Sequence, residues 1–92
     1  MMYEFIFDSK KNEKLIKERG VNFDLIITLI DAGGLVDVVE NYNTQPPNTQ
    51  KMFLVDVHGY INLVPFIRSK NKIYLKTIIP SRKYTKLYKR GE

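Results

Sequence analysis

Residues 23–40 read FDLIITLIDAGGLVDVVE, and this stretch decides the fold class. Phe23, Ile26, Ile27 and Ile30 fall at i, i+3, i+4 and i+7, the stripe that an amphipathic helix turns toward a core. Leu25 and Leu29 widen that stripe, so the spacing predicts a well-buried helix. Asn22 offers an N-cap oxygen, and Asp24 sits in the first turn, where the helix dipole favours negative charge. Gly33-Gly34 ends the helix. Beyond it the period drops from about 3.6 to 2, and valine-rich Leu35 to Glu40 reads as a strand.

Working toward the N-terminus, a charged stretch from Lys10 to Arg19 has no breaker and ends at Gly20, where a C-cap needs positive φ. Only Leu15 and Ile16 are apolar there, which predicts a narrow buried stripe. Asp8 or Ser9 can cap this first helix, and Tyr3 to Phe7 reads as a short first strand.

Toward the C-terminus the two-residue period persists. Asn41 to Gln50 is an uncharged polar loop broken by Pro46-Pro47, and Met52 to Val57 is a strand. His58-Gly59 is a tight turn into its hairpin partner, Tyr60 to Ile67. Pro65 has no amide hydrogen, which predicts an edge position or a bulge. Arg68 to Lys72 is a second turn, and Ile73 to Ile79 a further strand. Pro80-Ser81 breaks the sheet, and Ser81 can cap a last helix from Arg82 to about Lys89. The order β-α-α-β-β-β-β-α groups the helices instead of alternating them with strands. Grouping predicts an α+β fold, with two N-terminal helices packed on one face of an antiparallel sheet, because parallel strands need crossovers.

The 92 residues form one domain, 1–92, with room for a single core. No apolar run is long enough to span a bilayer, and no signal-peptide pattern opens the chain, so cytoplasmic location without membrane association is expected. The absence of cysteine excludes disulfides, thiol catalysis and cysteine zinc sites. With one histidine, His58, a histidine metal site or serine–histidine triad is not expected. His58 itself reads as an exposed turn residue. No Gly-rich phosphate loop occurs, since Gly33-Gly34 follows a helix instead of opening one. Asp31, Asp37, Glu40 and Asp56 are scattered and expected to face solvent. No metal or cofactor is expected.

Charge is distributed unevenly. Residues 68–92 carry nine basic side chains against Glu92 alone, or +8; residues 1–67 carry six basic and nine acidic, or −3, and the two sum to the net +5. A basic C-terminal quarter on a neutral-to-acidic body points to a polyanionic partner, with a purely solubilising role for the lysines as an equal alternative on charge alone. The segment from Lys76 to Arg90 interleaves tyrosines with cations. Ammonium and guanidinium groups neutralise phosphates and tyrosine rings stack on unpaired bases, a combination suited to single-stranded RNA. Core packing against the sheet is the competing role for Tyr84 and Tyr88, an i, i+4 pair, and Leu87 is expected in the core.

Two regions resemble a known family. Tyr3-Glu4-Phe5-Ile6-Phe7-Asp8 with Lys11-Asn12, followed by Lys17-Glu18-Arg19-Gly20-Val21-Asn22-Phe23, is similar to the opening of BrnT-type toxins, whose patterns are F-x-W/F-D-x-x-K-x-x-x-N and K-H-G-V/I-S/T-F. Ile78-Ile79-Pro80-Ser81-Arg82-Lys83-Tyr84-Thr85-Lys86 resembles the family's I-I-S-A-R-x-A-T-x-x-E ending. The resemblance implies a RelE-like fold and the toxin role of a type II toxin–antitoxin pair. It further implies growth arrest by RNA cleavage, ribosome-associated or free, and a cognate antitoxin, for which a complementary acidic segment is expected. Two departures from the family bear on its chemistry: its histidine before the glycine is Arg19 here, and its last-helix glutamate is Tyr88.

With those groups replaced, cleavage by the RNA's own 2′-hydroxyl has to rely on Arg, Lys and Tyr. Arginine clamps phosphate in a bidentate manner but is a poor base. The expected catalytic set is Arg82 and Arg19 on phosphate, with Lys76 or Lys83 in proton transfer or charge stabilisation. Tyr84 or Tyr88 would stack on bases, and Lys17, Lys86 and Arg68 would complete the RNA contacts. A lysine or tyrosine acting as base would need its pKa shifted, and the +8 segment is the candidate source of that field. The alternative is a non-enzymatic module that binds RNA or an acidic protein with the same surface.

Overall fold

Two side-chain caps start the N-terminal helices, and in the computed structural model, which describes residues 3–47 and 49–89, both have extended backbone. Asp8, not Ser9, caps α1 (Ser9–Arg19): its carboxylate accepts from the Lys10 amide at 2.9 Å. Gly20 closes α1 at φ +70°, a left-handed conformation that glycine adopts without Cβ strain. Asn22 Oδ1 accepts from the Leu25 amide at 2.7 Å to start α2 (Phe23–Asp31). Asn12 Oδ1, reaching across from α1, takes the Phe23 amide at 2.7 Å and satisfies one of the unpaired donors of the α2 N-terminus. After α2 the chain turns so tightly that a Cβ on Gly34 would lie 2.9 Å from the Leu29 carbonyl oxygen.

The strands are β1 (Glu4–Ile6), β2 (Leu35–Glu40), β3 (Lys51–Val57), β4 (Tyr60–Ser69), β5 (Lys72–Leu75) and β6 (Ile79–Pro80), followed by α3 (Arg82–Lys89). The α+β class stands. The sheet, in the order β1-β5-β4-β3-β2, is however mixed: β2 to β5 form an antiparallel meander, while β1 lies parallel to β5 with Phe5 opposite Ile73.

The strand expected over Ile73 to Ile79 divides in two. Its first part pairs Leu75 with Phe66, and its second resumes with Ile79 opposite Leu63. Three steps along β4 thus face four along the returning chain, the one-residue excess of a β-bulge. Ile73 and Leu75 point to the core, and after the extra residue Ile78, not Thr77, is the next fully buried side chain. Pro65 lies opposite, in a central strand instead of at an edge. Its carbonyl accepts the Lys76 amide at 2.8 Å. The N–H that proline lacks would point to the same neighbour, at the place where the bulge interrupts the ladder.

One sheet face packs on α1 and α2, with Leu15, Phe23 and Ile26 meeting Phe53, Val55, Val64, Phe66 and Ile78. Burying a side chain such as Phe23 or Ile26, both at 0% exposure, contributes about 1.5–3 kcal/mol. Ile16 is exposed, so the α1 stripe is narrower than the two residues expected. The opposite face, where alternation places Met52, Leu54 and Ile61, is also buried in part, and α3 lies across it. Coverage of both faces replaces the expected single covered face. Leu87, expected in the core, is 57% exposed on the outer side of α3.

Candidate nucleic-acid interface

Ser81 and Thr85 place α3. Ser81 is buried, its Oγ accepts from the Tyr84 amide at 3.1 Å as an N-cap, and its own amide donates to the Ile61 carbonyl at 2.9 Å. Thr85 Oγ1 accepts from the Ile61 amide at 2.8 Å and donates to the Ser81 carbonyl at 2.6 Å. The start of β4 is thereby stapled to the first turn of the helix.

The other end of α3 is held by two carboxylates. Lys89 Nζ donates to Asp56 Oδ2 at 2.5 Å, and Asp56 Oδ1 accepts the Gly59 amide at 2.7 Å in the β3–β4 hairpin. The Lys89 hydrogen bond, above all, holds the Asp56 carboxyl below its ordinary range. Tyr88 Oη donates to Asp37 Oδ2 at 2.7 Å. That bond lowers the Asp37 pKa and raises that of Tyr88, because phenol ionisation would break it and set two anions together. Asp37 is exposed, as expected, and Asp56 is half-buried, yet both anchor α3. The positive segment does not turn Tyr88 into a base; its phenol is shifted the other way.

With those side chains committed to the sheet, α3 turns Arg82, Lys83 and Lys86 outward, all exposed. An open hollow of about 700 Å³ on this outer side is lined by Lys83, Lys86, Leu87 and Lys89. Tyr84 and Tyr88 form a tilted ring pair with centroids 6.2 Å apart, and Lys83 Nζ is 5.7 Å from the Tyr84 ring centre and 5.8 Å from that of Tyr42. Both α3 tyrosines are half-buried, so the packing role competes directly with base stacking.

Arg19 and Lys76 flank the β5–β6 bulge that leads into α3. Arg19 Nη1 donates to the Ile78 carbonyl at 2.7 Å, using an acceptor that the bulge releases from the ladder. Lys76 is exposed two residues earlier, and Arg82 follows Ile78 by four residues, within about 14 Å even if that chain were fully extended. The structure thus sets Arg19 against the chain between Lys76 and Arg82, while Arg82, Lys83 and Lys86 share α3 and are exposed there. Lys17 does not join them; two positions from Arg19 on a helix, it points to roughly the other side. Arg68 is also apart. Its guanidinium lies over the Tyr3 ring at 4.8 Å, and its Nε donates to the Lys70 carbonyl at 3.3 Å, near the opposite end of β4. Arg90 and Glu92 lie outside the described residues.

His58 occupies the hairpin turn at φ +54° and is exposed, as its neighbour Gly59 led one to expect. Among the described residues no three histidine or acidic side chains converge as a metal-binding group. None of their helices is long and apolar enough to cross a membrane. One residue the sequence reading passed over is Tyr74, exposed between Lys72 and Lys76 on β5; the alternation K-I-Y-L-K carried that signal.

Compared with known proteins, the chain matches no family model, and no curated protein matches it significantly.

Proposed function

We propose that this protein is the toxin of a type II toxin–antitoxin pair, a RelE-like ribonuclease of the BrnT type acting in the cytoplasm and neutralised by a cognate antitoxin. One observation supports the reading most: the anchoring of α3, by Thr85, Tyr88 and Lys89, leaves Arg82, Lys83 and Lys86 exposed on its outer side. In the reaction the substrate's 2′-hydroxyl oxygen attacks the adjacent phosphorus, losing its proton. The P–O5′ bond breaks, and the 5′ oxygen leaves with a proton, giving a 2′,3′-cyclic phosphate and a 5′-hydroxyl. Arg82 clamps a phosphate through its planar fork, and Lys76 and Lys83 stabilise charge on the phosphorane. Arg19 holds the bulge on which Lys76 sits. The antitoxin opposes this basic surface with an acidic segment.

A second reading is favoured by Tyr88, whose phenol is held protonated by Asp37 and so does not serve this surface as a base. On that reading the same cations bind RNA or an acidic protein without cleaving. Expression from an inducible promoter separates the two. A nuclease toxin arrests growth, the adjacent open reading frame restores it, and Arg82→Ala abolishes the arrest. Unimpaired growth, with RNA bound but intact in vitro, would leave only the binding module.

A further inference from the structure

We infer that the part of the sheet face left uncovered by α3 is a single-stranded RNA platform, with Tyr74 stacking on one base and Lys72 and Lys76 holding the phosphates on either side. The inference rests on the RNA-directed reading above and specifies the form of RNA that it engages.

Alternation along β5 sends Ile73 and Leu75 into the core and Lys72 and Tyr74 to the opposite face; Lys76 follows the strand directly, exposed, with its amide still bonded to the Pro65 carbonyl. Lys72 and Tyr74 are exposed too, Tyr74 at 37%. Register sets Ile67 of β4 and Ile6 of β1 on either side of Tyr74, so the ring lies in an apolar row across three strands. The hydrogen bonds from α3 reach the sheet at Asp37, Asp56 and Ile61, which places the helix over β2, β3 and the start of β4. Beside Tyr74 a hollow of about 430 Å³ opens between β5, the end of β1 and the start of α1, with Ile6, Asp8, Lys11 and Lys76 among its walls.

The chemistry of the row selects its occupant. An apolar peptide would cover Ile6 and Ile67 but would also desolvate Lys72 and Lys76. A duplex presents no free base face to a ring standing on a sheet. A single strand supplies both a π-face for Tyr74 and phosphates for the two ammonium groups, about 13 Å apart along the strand. Two carboxylates lie nearby. Glu4 is opposite Lys72, and Asp8 is engaged as the α1 cap by the Lys10 amide. Lys11, Lys72 and Lys76 outnumber them, and the cations of α3 extend the positive surface beyond Lys76.

The test is fluorescence anisotropy of the whole protein with a labelled single-stranded RNA dodecamer, titrated at several salt concentrations. Tyr74→Thr, which suits a strand, should weaken binding about 5- to 150-fold, whereas Tyr74→Phe keeps the ring and should bind nearly as wild type. Lys72→Gln and Lys76→Gln should each reduce the slope of log affinity against log salt by about 0.7. Should Tyr74→Thr fail to fold, the lysine slopes and photo-cross-linking of a 5-bromouridine dodecamer to wild-type Tyr74 decide. Wild-type affinity in folded Tyr74→Thr, or cross-links confined to α3, would overturn the platform while leaving the RNA reading intact. No affinity of the wild type for the dodecamer at low salt would overturn both.

Discussion

Replacing Thr85 by valine removes one hydroxyl and almost no volume, which makes it a clean probe of how α3 is docked. In the native protein Thr85 Oγ1 is the acceptor for the Ile61 amide, and Ile61 is fully buried. That amide points away from β3, toward the same side on which Ile61's own carbonyl accepts the Ser81 amide. Thr85→Val therefore leaves a buried donor unpaired, at a cost of about 1–3 kcal/mol. Loss of the hydroxyl's bond to the Ser81 carbonyl adds less, because that carbonyl also accepts the Thr85 amide at 3.1 Å. In a urea titration the midpoint should fall with the slope unchanged. In a thermal melt the midpoint should drop by about 4–8 °C for each kcal/mol in a domain of this size. Thr85→Ser keeps the oxygen and should recover most of the loss. A Thr85→Val variant as stable as wild type would refute the staple, and with it the stated orientation of Arg82, Lys83 and Lys86.

Asp56 makes stability depend on acid. Its folded pKa lies below the ordinary 3.8, so its contribution is present above the unfolded value and is lost as pH falls through the folded one. Between about pH 5 and pH 2, urea midpoints of wild type should decline more steeply than those of Asp56→Asn, and parallel declines would show that Lys89 does not pair with it in solution. Arg19→Ala should cost about 1 kcal/mol in urea unfolding through the lost bond to the Ile78 carbonyl, with Arg19→Lys intermediate. If Arg19→Ala instead abolishes RNA binding at unchanged stability, the guanidinium serves phosphate and not the bulge. Ser81→Ala should lose about 1 kcal/mol as an N-cap, and its effect should not add to that of Thr85→Val, measured as a double-mutant cycle.

Local signals were the legible ones. Asn22, Gly20 and the Phe23/Ile26 spacing act within a few residues of themselves, and so the sequence revealed both N-terminal helices and their stops. The same holds for the hairpin at His58-Gly59. The parallel pairing of β1 with β5 joins Phe5 to Ile73, and no local pattern states a partner that far along the chain. The bulge was hidden because Ile78 and Ile79 are both apolar, and alternation alone does not say which turns inward. Pro65 could be assigned an edge or a bulge, but not the interior of β4 beside a neighbour's bulge. In the candidate site the basic segment was visible and its anchors were not. Asp37 and Asp56 read as solvated carboxylates, and nothing local says that Tyr88 and Lys89, 51 and 33 residues on, bond to them; Tyr88 was offered to RNA before its phenol met Asp37. Tyr74 was legible from strand alternation once β5 was accepted, and was eclipsed by the denser cluster of cations downstream.

The most direct measurement is to incubate the purified protein with single-stranded RNA, with and without ribosomes and in the presence of a chelator, and to determine the ends of any fragments. The expected result is 2′,3′-cyclic phosphate and 5′-hydroxyl ends, lost in Arg82→Ala and suppressed by the antitoxin. RNA left intact under both conditions by a folded protein, or cleavage that Arg82→Ala does not diminish, would contradict the ribonuclease assignment.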